Sequence, residues 1–333
     1  MRKLDYVGRR RTWYAISLVI IGLGLLSLVL PGQGLRLGID FTGGLYLDLG
    51  FSPGNAPSVE AVTSVLAERN LQGSVVQRSL AGDSVIIRTP PMDETGRELL
   101  LALLRDRLPE FSLLQMEGVQ PVIGREMTQQ ALLALLLATI AMVLYITFRF
   151  EFKSAVCTIV ALSHDVLVVV SVLSILRTEI NSPFVAAVLT IIGYSVNDTI
   201  VVFDRIRENR RERDRDPIPA VVNDSIKETL GRTVNTSVTT LLAIGAILVF
   251  GGRTTRDFAL ALALGVVAGS YSSIFIASPL WAGWKLGEKR ARQPRPAMAP
   301  AAPAKAKPLA PKKAAGPAPG KARPRPKHKA AAR

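Results

Sequence analysis

Apolar residues gather along this chain into six long blocks instead of alternating evenly with polar ones. The blocks cover residues 13–30, 131–148, 155–176, 184–203, 234–252 and 258–284. Each approaches or exceeds the roughly 18 to 20 residues a helix needs to cross about 30 Å of hydrocarbon, so the pattern predicts six transmembrane helices. Residues 31–130 read differently. LYLDLGF (Leu45 to Phe51) alternates as a strand does, and SVEAVTSVLAERN carries apolar positions at helical spacing behind Ser58 as N-cap. GSVVQRSL and SVIIRT predict a hairpin around Ala81, Gly82 and Asp83. DETGRELLLALLRDRL, from Asp93 to Leu108, is a second amphipathic helix and FSLLQMEGV a last strand. The order βαββαβ is that of a split βαβ, or ferredoxin-like, unit. This domain holds no His or Cys and its acids stand singly, so it reads as a binding or mechanical module.

Composition agrees with a membrane protein: of 333 residues 49% are hydrophobic and only 6% aromatic. The formal charge of +15 misleads, because residues 285–333 hold 15 Lys/Arg against the single acid Glu288. That Pro/Ala/Lys tail cannot bury a core and is expected to be disordered. Its attraction would be electrostatic, to anionic lipid or to RNA, or it only solvates. Cys157 is the sole cysteine, so no intrachain disulfide forms. The basic N-terminus (1–12) before a long first block that ends without a cleavage-like site suggests a retained signal anchor.

Arg2, Lys3 and Arg9 to Arg11 precede the first block, and the positive-inside rule then keeps the N-terminus in the cytoplasm. Alternation puts Arg149, Lys153, the basic tail and a charged loop (204–233) on the same side, leaving only Arg177, Arg253 and Arg256 in the short outer loops. The 31–130 domain becomes extracytoplasmic.

Within the blocks stand groups that lipid does not favour. GYSVNDTIVVFDRIREN carries Asn197 and Asp198, and SHDV carries His164 and Asp165. An aspartate at a helix centre costs about 2.5 to 3.5 kcal/mol on insertion scales, so such residues face the bundle interior and mark functional candidates. Ser163, His164 and Asp165 are no hydrolytic triad, since adjacent helical residues diverge by about 100°. Two readings stay open for His164 and Asp165, interhelical bonding and direct proton handling. They stay open for Asn197 and Asp198 too, as relay or as static glue. The fifth block opens LGRTVNTSVTTLL, with Arg232, Thr236 and Thr239 on one helical face, and Arg232 is within reach of an Asp198 on an antiparallel neighbour. Gly265, Gly269 and Ser273 form a small-residue packing stripe. The other histidine, His328, lies in the tail, so no metal site is expected. No phosphate-binding loop, metal cluster or activated nucleophile is present, which argues against an enzyme.

LGIDFTGGLYLDL, LSHDVL, GYSVNDTIVVFDRIREN, LGRTVNTSVTTL and GSYSSIFIASPL occur in order at fixed places relative to the helices, from about Arg9 to Leu286. In these the chain resembles the SecF family of bacterial protein-export membrane subunits, of the SecD/SecF group in the resistance-nodulation-division superfamily. The resemblance implies a partnership with a SecD-like subunit beside the SecYEG channel and the SecA motor in the bacterial inner membrane. It further implies use of the proton gradient, without a bound cofactor, to assist preprotein translocation. On matching positions, Asp198 would be the proton-responsive carboxylate and Arg232 its coupled arginine. Two features depart from the family pattern: Gln120 where glycine is expected before Pro121, and the long basic tail. The competing readings are half of an exporter of a small molecule or lipid, against which one compact outer domain and six helices count, and a passive assembly factor.

Overall fold

All six apolar blocks are helical, and most of the helices overrun the blocks that announced them. The computed structural model describes residues 4–30, 35–78 and 82–292; the tail from 293 on and Ala81 at the expected hairpin tip lie outside them. The spanning helices are α1 (Arg10–Val29), α5 (Pro121–Arg149), α6 (Phe152–Leu176), α7 (Ser182–Glu212), α8 (Ile218–Phe250) and α9 (Arg253–Ser272). The last continues through a π-helical turn, Ser273–Ala277, into α10 (Ser278–Arg292). Among the described residues six stretches are long and apolar enough to cross a membrane. Burial ranks them: 44 to 56% of the most apolar window is buried in α6, α7 and the α9–α10 rod, against 6 to 17% in α1, α5 and α8. The first three therefore form the interior and the others flank it.

The expected charged loop 204–233 is instead a helical hairpin, turning only at residues 213–217. Its charges are spaced for helices and lack an apolar run, which is why block reading missed them. Arg205 pairs with Glu208 and Glu228, Arg210 with Asp214, and Arg213 with Asp224. Asn209 donates to Ser225 Oγ at 3.0 Å and to Glu228 at 2.8 Å across the hairpin. The segment before α1 is strapped to it: the N–H groups of Tyr6 and Val7 donate to Asn223 Oδ1 at 2.9 and 3.2 Å, and both side chains are buried.

Between α1 and α5 lies a small α+β domain: α2 (Ile39–Thr42), β1 (Gly44–Phe51), α3 (Val59–Ala67), β2 (Val75–Arg78), β3 (Ser84–Thr89), α4 (Glu94–Arg107) and β4 (Phe111–Val119). The sheet is antiparallel in the order β2-β3-β1-β4. Alternation puts Leu45, Leu47, Leu49 and Phe51 of β1 on one face, where they are buried with Val62 and Leu66 of α3 and Leu100 and Leu104 of α4. Ser58 and Asp93 cap the two helices by accepting the N–H of Ala61 at 3.2 Å and of Gly96 at 2.9 Å.

The short α2 was not anticipated. It ends on Gly43 (φ 72°) and Gly44 (φ 135°), and a Cβ at Gly44 would stand 2.5 Å from the carbonyl oxygen of Thr89. Both backbone sign and space thus demand glycine here. Helix α5 starts at Pro121, ten residues before the expected boundary at 131. Proline suits the first turn, and Gln120 before it is ordinarily extended (φ −73°, ψ 147°), so the glycine expected at that position is not needed. The domain is fixed to the loop between α6 and α7. Asp40 accepts the N–H of Ser182 at 2.7 Å, Gly38 donates to the carbonyl of Ile180 at 2.8 Å, and Arg88 pairs with Glu179.

Candidate functional site

Close packing of α9 on α7 builds the polar interior. A Cβ at Gly265 would fall 2.2 Å from Ile191, and one at Gly269 would fall 2.9 Å from Ser195. The small-residue stripe is therefore a packing device, as its spacing implied. Only with the helices this near can hydroxyls as short as serine's reach across.

Two buried carboxylates use that proximity. Asp198 of α7 is 4% exposed and accepts a hydrogen bond from Ser270 Oγ of α9 at 3.2 Å. Ser270 also meets Ser237 Oγ of α8 at 2.6 Å, and Tyr194 OH donates to Ser237 at 3.4 Å. Asp198 thus begins a hydroxyl row shared by α7, α9 and α8. Asp165 of α6 is fully buried. Its Oδ2 accepts from Ser195 Oγ of α7 at 2.6 Å and Ser272 Oγ of α9 at 2.9 Å, while Oδ1 lies 3.0 Å from His164 Nδ1. His164 Nε2 is 2.9 Å from Ser17 Oγ of α1, and the imidazole stacks on Tyr271 of α9.

The run Ser270 to Ser273 touches both sites: Ser270 reaches Asp198, Ser272 reaches Asp165, and Ser273 Oγ lies 2.8 Å from Thr199. Residues two apart on a helix point about 200° from one another, so α9 serves the two carboxylates from opposite flanks. The π-turn follows at once. Pro279 explains it: proline has no N–H to continue the ladder and its ring would crowd the carbonyl four residues back, so the chain widens ahead of it.

The remaining sequence candidates lie elsewhere. Arg232 is exposed on α8; it acts on Asp198 through space, with no ion pair to it among the described residues. Thr236 and Thr239 are exposed on the same face, and each returns its hydroxyl to its own helix, to the carbonyls of Arg232 and Asn235 at 3.0 Å. Asn197 is exposed too. The partners that sequence reading passed over are serines and one tyrosine: Ser17, Ser195, Ser237, Ser270, Tyr271 and Ser272. A hydroxyl run in GSYSSIF was the one available signal. Among the described residues no group of three or more His, Cys, Asp or Glu stands close enough to hold a metal.

The chain is similar to known proteins. Residues 100–287 match the model of the C-terminal part of the protein export membrane proteins SecD/SecF, and residues 28–54 match the SecD/SecF GG motif, which here contains the Gly43–Gly44 turn. The protein translocase subunit SecF of Sebaldella termitidis is 40% identical over 283 residues, covering 83% of this chain and 90% of that one. The SecF of Haemophilus influenzae is 38% identical, covering 82% and 83%. The crystal structure of SecDF, a translocon-associated membrane protein from Thermus thermophilus, aligns with a TM-score of 0.78 at 38% identity over 85% of this chain. This chain spans only 39% of that longer one. On the two family matches and on identity along most of its length, the chain belongs to the SecD/SecF family of protein-export membrane proteins, among those named protein translocase subunit SecF.

Proposed function

We propose that the chain is the proton-gradient-coupled accessory subunit of a Sec protein-export machine, with Asp198 as its proton-responsive group. The observation that carries this is a carboxylate buried in a membrane bundle, bound by a single serine and in electrostatic range of an arginine it does not touch. Such a group exchanges a proton with little rearrangement, and an arginine at a distance biases its charge without locking it. The partner is a SecD-like subunit, which the fused SecDF chain of Thermus thermophilus supports. Its seat is the exposed polar face of α8, where Arg232, Asn235, Thr236 and Thr239 are unsuited to lipid. The α+β domain, ferredoxin-like in element and strand order, lies on the extracytoplasmic side with both chain ends in the cytoplasm, as the distribution of Lys and Arg supports. SecYEG with SecA and the translocating preprotein complete the machine.

The test is preprotein export in inverted membrane vesicles, with and without a proton gradient. Asp198→Asn, which keeps shape and most hydrogen bonding, should remain inserted and partner-bound yet lose the gradient's stimulation. Undiminished stimulation in a stable, partner-bound variant would leave Asp198 as interhelical glue.

A further inference from the structure

The proposed function uses Asp198 and leaves a second, more deeply buried carboxylate unexplained. Among the described residues no Lys or Arg pairs with Asp165. The titratable groups that face it are His164 on its own helix and, stacked on that imidazole, Tyr271 from α9. From α1 the polar contact is the hydroxyl of Ser17, made through His164; from α7 it is Ser195, with Asp198 one turn further along.

Bond directions limit the protonation states. Tyr271 OH donates to the carbonyl of Trp13 at 2.9 Å, so its oxygen is free to accept the Ser17 hydroxyl, 3.5 Å away. Ser17 Oγ then accepts from His164, whose Nε2 must carry hydrogen. With Nε2 protonated, Nδ1 and Asp165 Oδ1 stand 3.0 Å apart and need one proton between them. In this state the pair is electrically neutral. In the alternative, the Ser17 hydroxyl turns to donate to Nε2, Nδ1–H donates to an ionised Asp165, and a net negative charge is buried without a cation. The two states differ by one proton and by the rotation of one hydroxyl.

We propose that Asp165 and His164 form a second proton-carrying site, distinct from Asp198, that loads and releases its proton through Ser17 and Tyr271 toward the Arg10 end of α1. On loading, Ser17 passes its hydroxyl proton to Nε2 and takes up that of Tyr271, which turns from the Trp13 carbonyl to give it and takes up the incoming one before turning back. The proton already on Nδ1 stays on the Nδ1–Oδ1 axis, free to pass to the carboxylate. The net charge of the pair goes from −1 to zero. The row ends at the first turns of α1, where Trp13 Nε1 and Tyr14 OH are buried polar atoms with no partner in the described protein. The site rests on the reading of the chain as a proton-driven subunit, but its direct test does not.

The chain has two histidines, and one lies in the tail. Full-length protein carrying His328→Gln and labelled with ¹⁵N-histidine therefore gives a single imidazole to follow by solid-state NMR in lipid bilayers. As the pH is lowered, the Nε2 resonance should move from acceptor to protonated position, and Asp165→Asn should abolish or displace that change. An imidazole pattern constant over the whole range in which the protein stays folded would overturn the proposal, even where Asp165→Asn does not fold. The same titration in Asp198→Asn should persist. If His164 titrates while Asp198→Asn exports normally, the role of Asp198 fails and this site stands; if His164 is silent while Asp198→Asn loses drive, only this site fails.

Discussion

Asp165 and Asp198 are two aspartates in one bundle, and they are held in opposite ways. Asp165 sits among α1, α6, α7 and α9, with both oxygens engaged and three side chains converging on it. Asp198 lies where α7 and α9 meet the outer helix α8 and takes one hydroxyl. The first is braced, with one of its oxygens set against a neighbouring imidazole. The second is under-coordinated and faces toward the helix with the exposed polar side. Both lie out of reach of solvent, Asp165 the deeper of the two, and the number and origin of the donors separates them further.

The hardest way to break the comparison is to remove each carboxylate. Asp165→Leu removes the shared partner of Ser195, Ser272 and His164, of which only Ser272 has a second acceptor, the Gly269 carbonyl, and should cost about 3 to 5 kcal/mol. Asp198→Leu strands one hydroxyl that has other partners and should cost about 1 kcal/mol or less. Unfolding of the detergent-solubilised variants measures both. Equal losses would mean that the two acids are braced alike.

Much of this was legible beforehand. Both carboxylates stood out because an acid in a greasy run is expensive, and the strands and helices of the α+β domain followed from alternation and from the caps Ser58 and Asp93. The donors were not legible, since serine is unremarkable in membrane helices and only tertiary packing decides which hydroxyl meets which acid. Sequence adjacency of the fourth and fifth blocks directed attention to Arg232, whereas the contact to Asp198 comes from α9, brought near by Gly265 and Gly269. The extension of α7 and α8 past their apolar blocks was hidden because solvated helical charges carry no apolar periodicity. The four-residue α2 was hidden because its reason lies in the clash at Gly44, which sequence does not display.

A milder intervention tests whether α9 holds both sites at once. Gly265→Ala places a methyl against the Ile191 side chain, at a distance at which that side chain or the helix must shift, and should cost about 1 to 3 kcal/mol. Because Ser270 and Ser272 ride on the same helix, spectroscopic signatures of both carboxylates should shift together in this variant. A change confined to Asp198 would show that the bracing of Asp165 does not depend on α9.

The smallest effect sharpens the contrast with an acid outside the bundle. Burial raises the Glu179 carboxyl above the usual glutamate value, the Arg88 guanidinium opposes that rise, and Asp257 adds to it. A carboxyl with a raised folded value contributes most below its ordinary value, and that contribution declines as pH rises through the folded one. The attachment of the α+β domain should therefore tighten slightly on mild acidification. Amide exchange at Gly38 and Ile180, corrected for its intrinsic rate, reports this, and Glu179→Gln should flatten the dependence. An unchanged slope in that variant would assign the effect to another group.

Helix α8 has 33 residues and so measures about 50 Å, well beyond the roughly 30 Å of a hydrocarbon core. It is one unbroken rod, and Asn223, which grips the backbone of Tyr6 and Val7, lies about 14 Å along it from Arg232. A continuous helix transmits tilt instead of absorbing it. A pull on the strap is thus carried along the rod to the turn that holds Arg232, with α7 drawn along through Asn209 and Arg205.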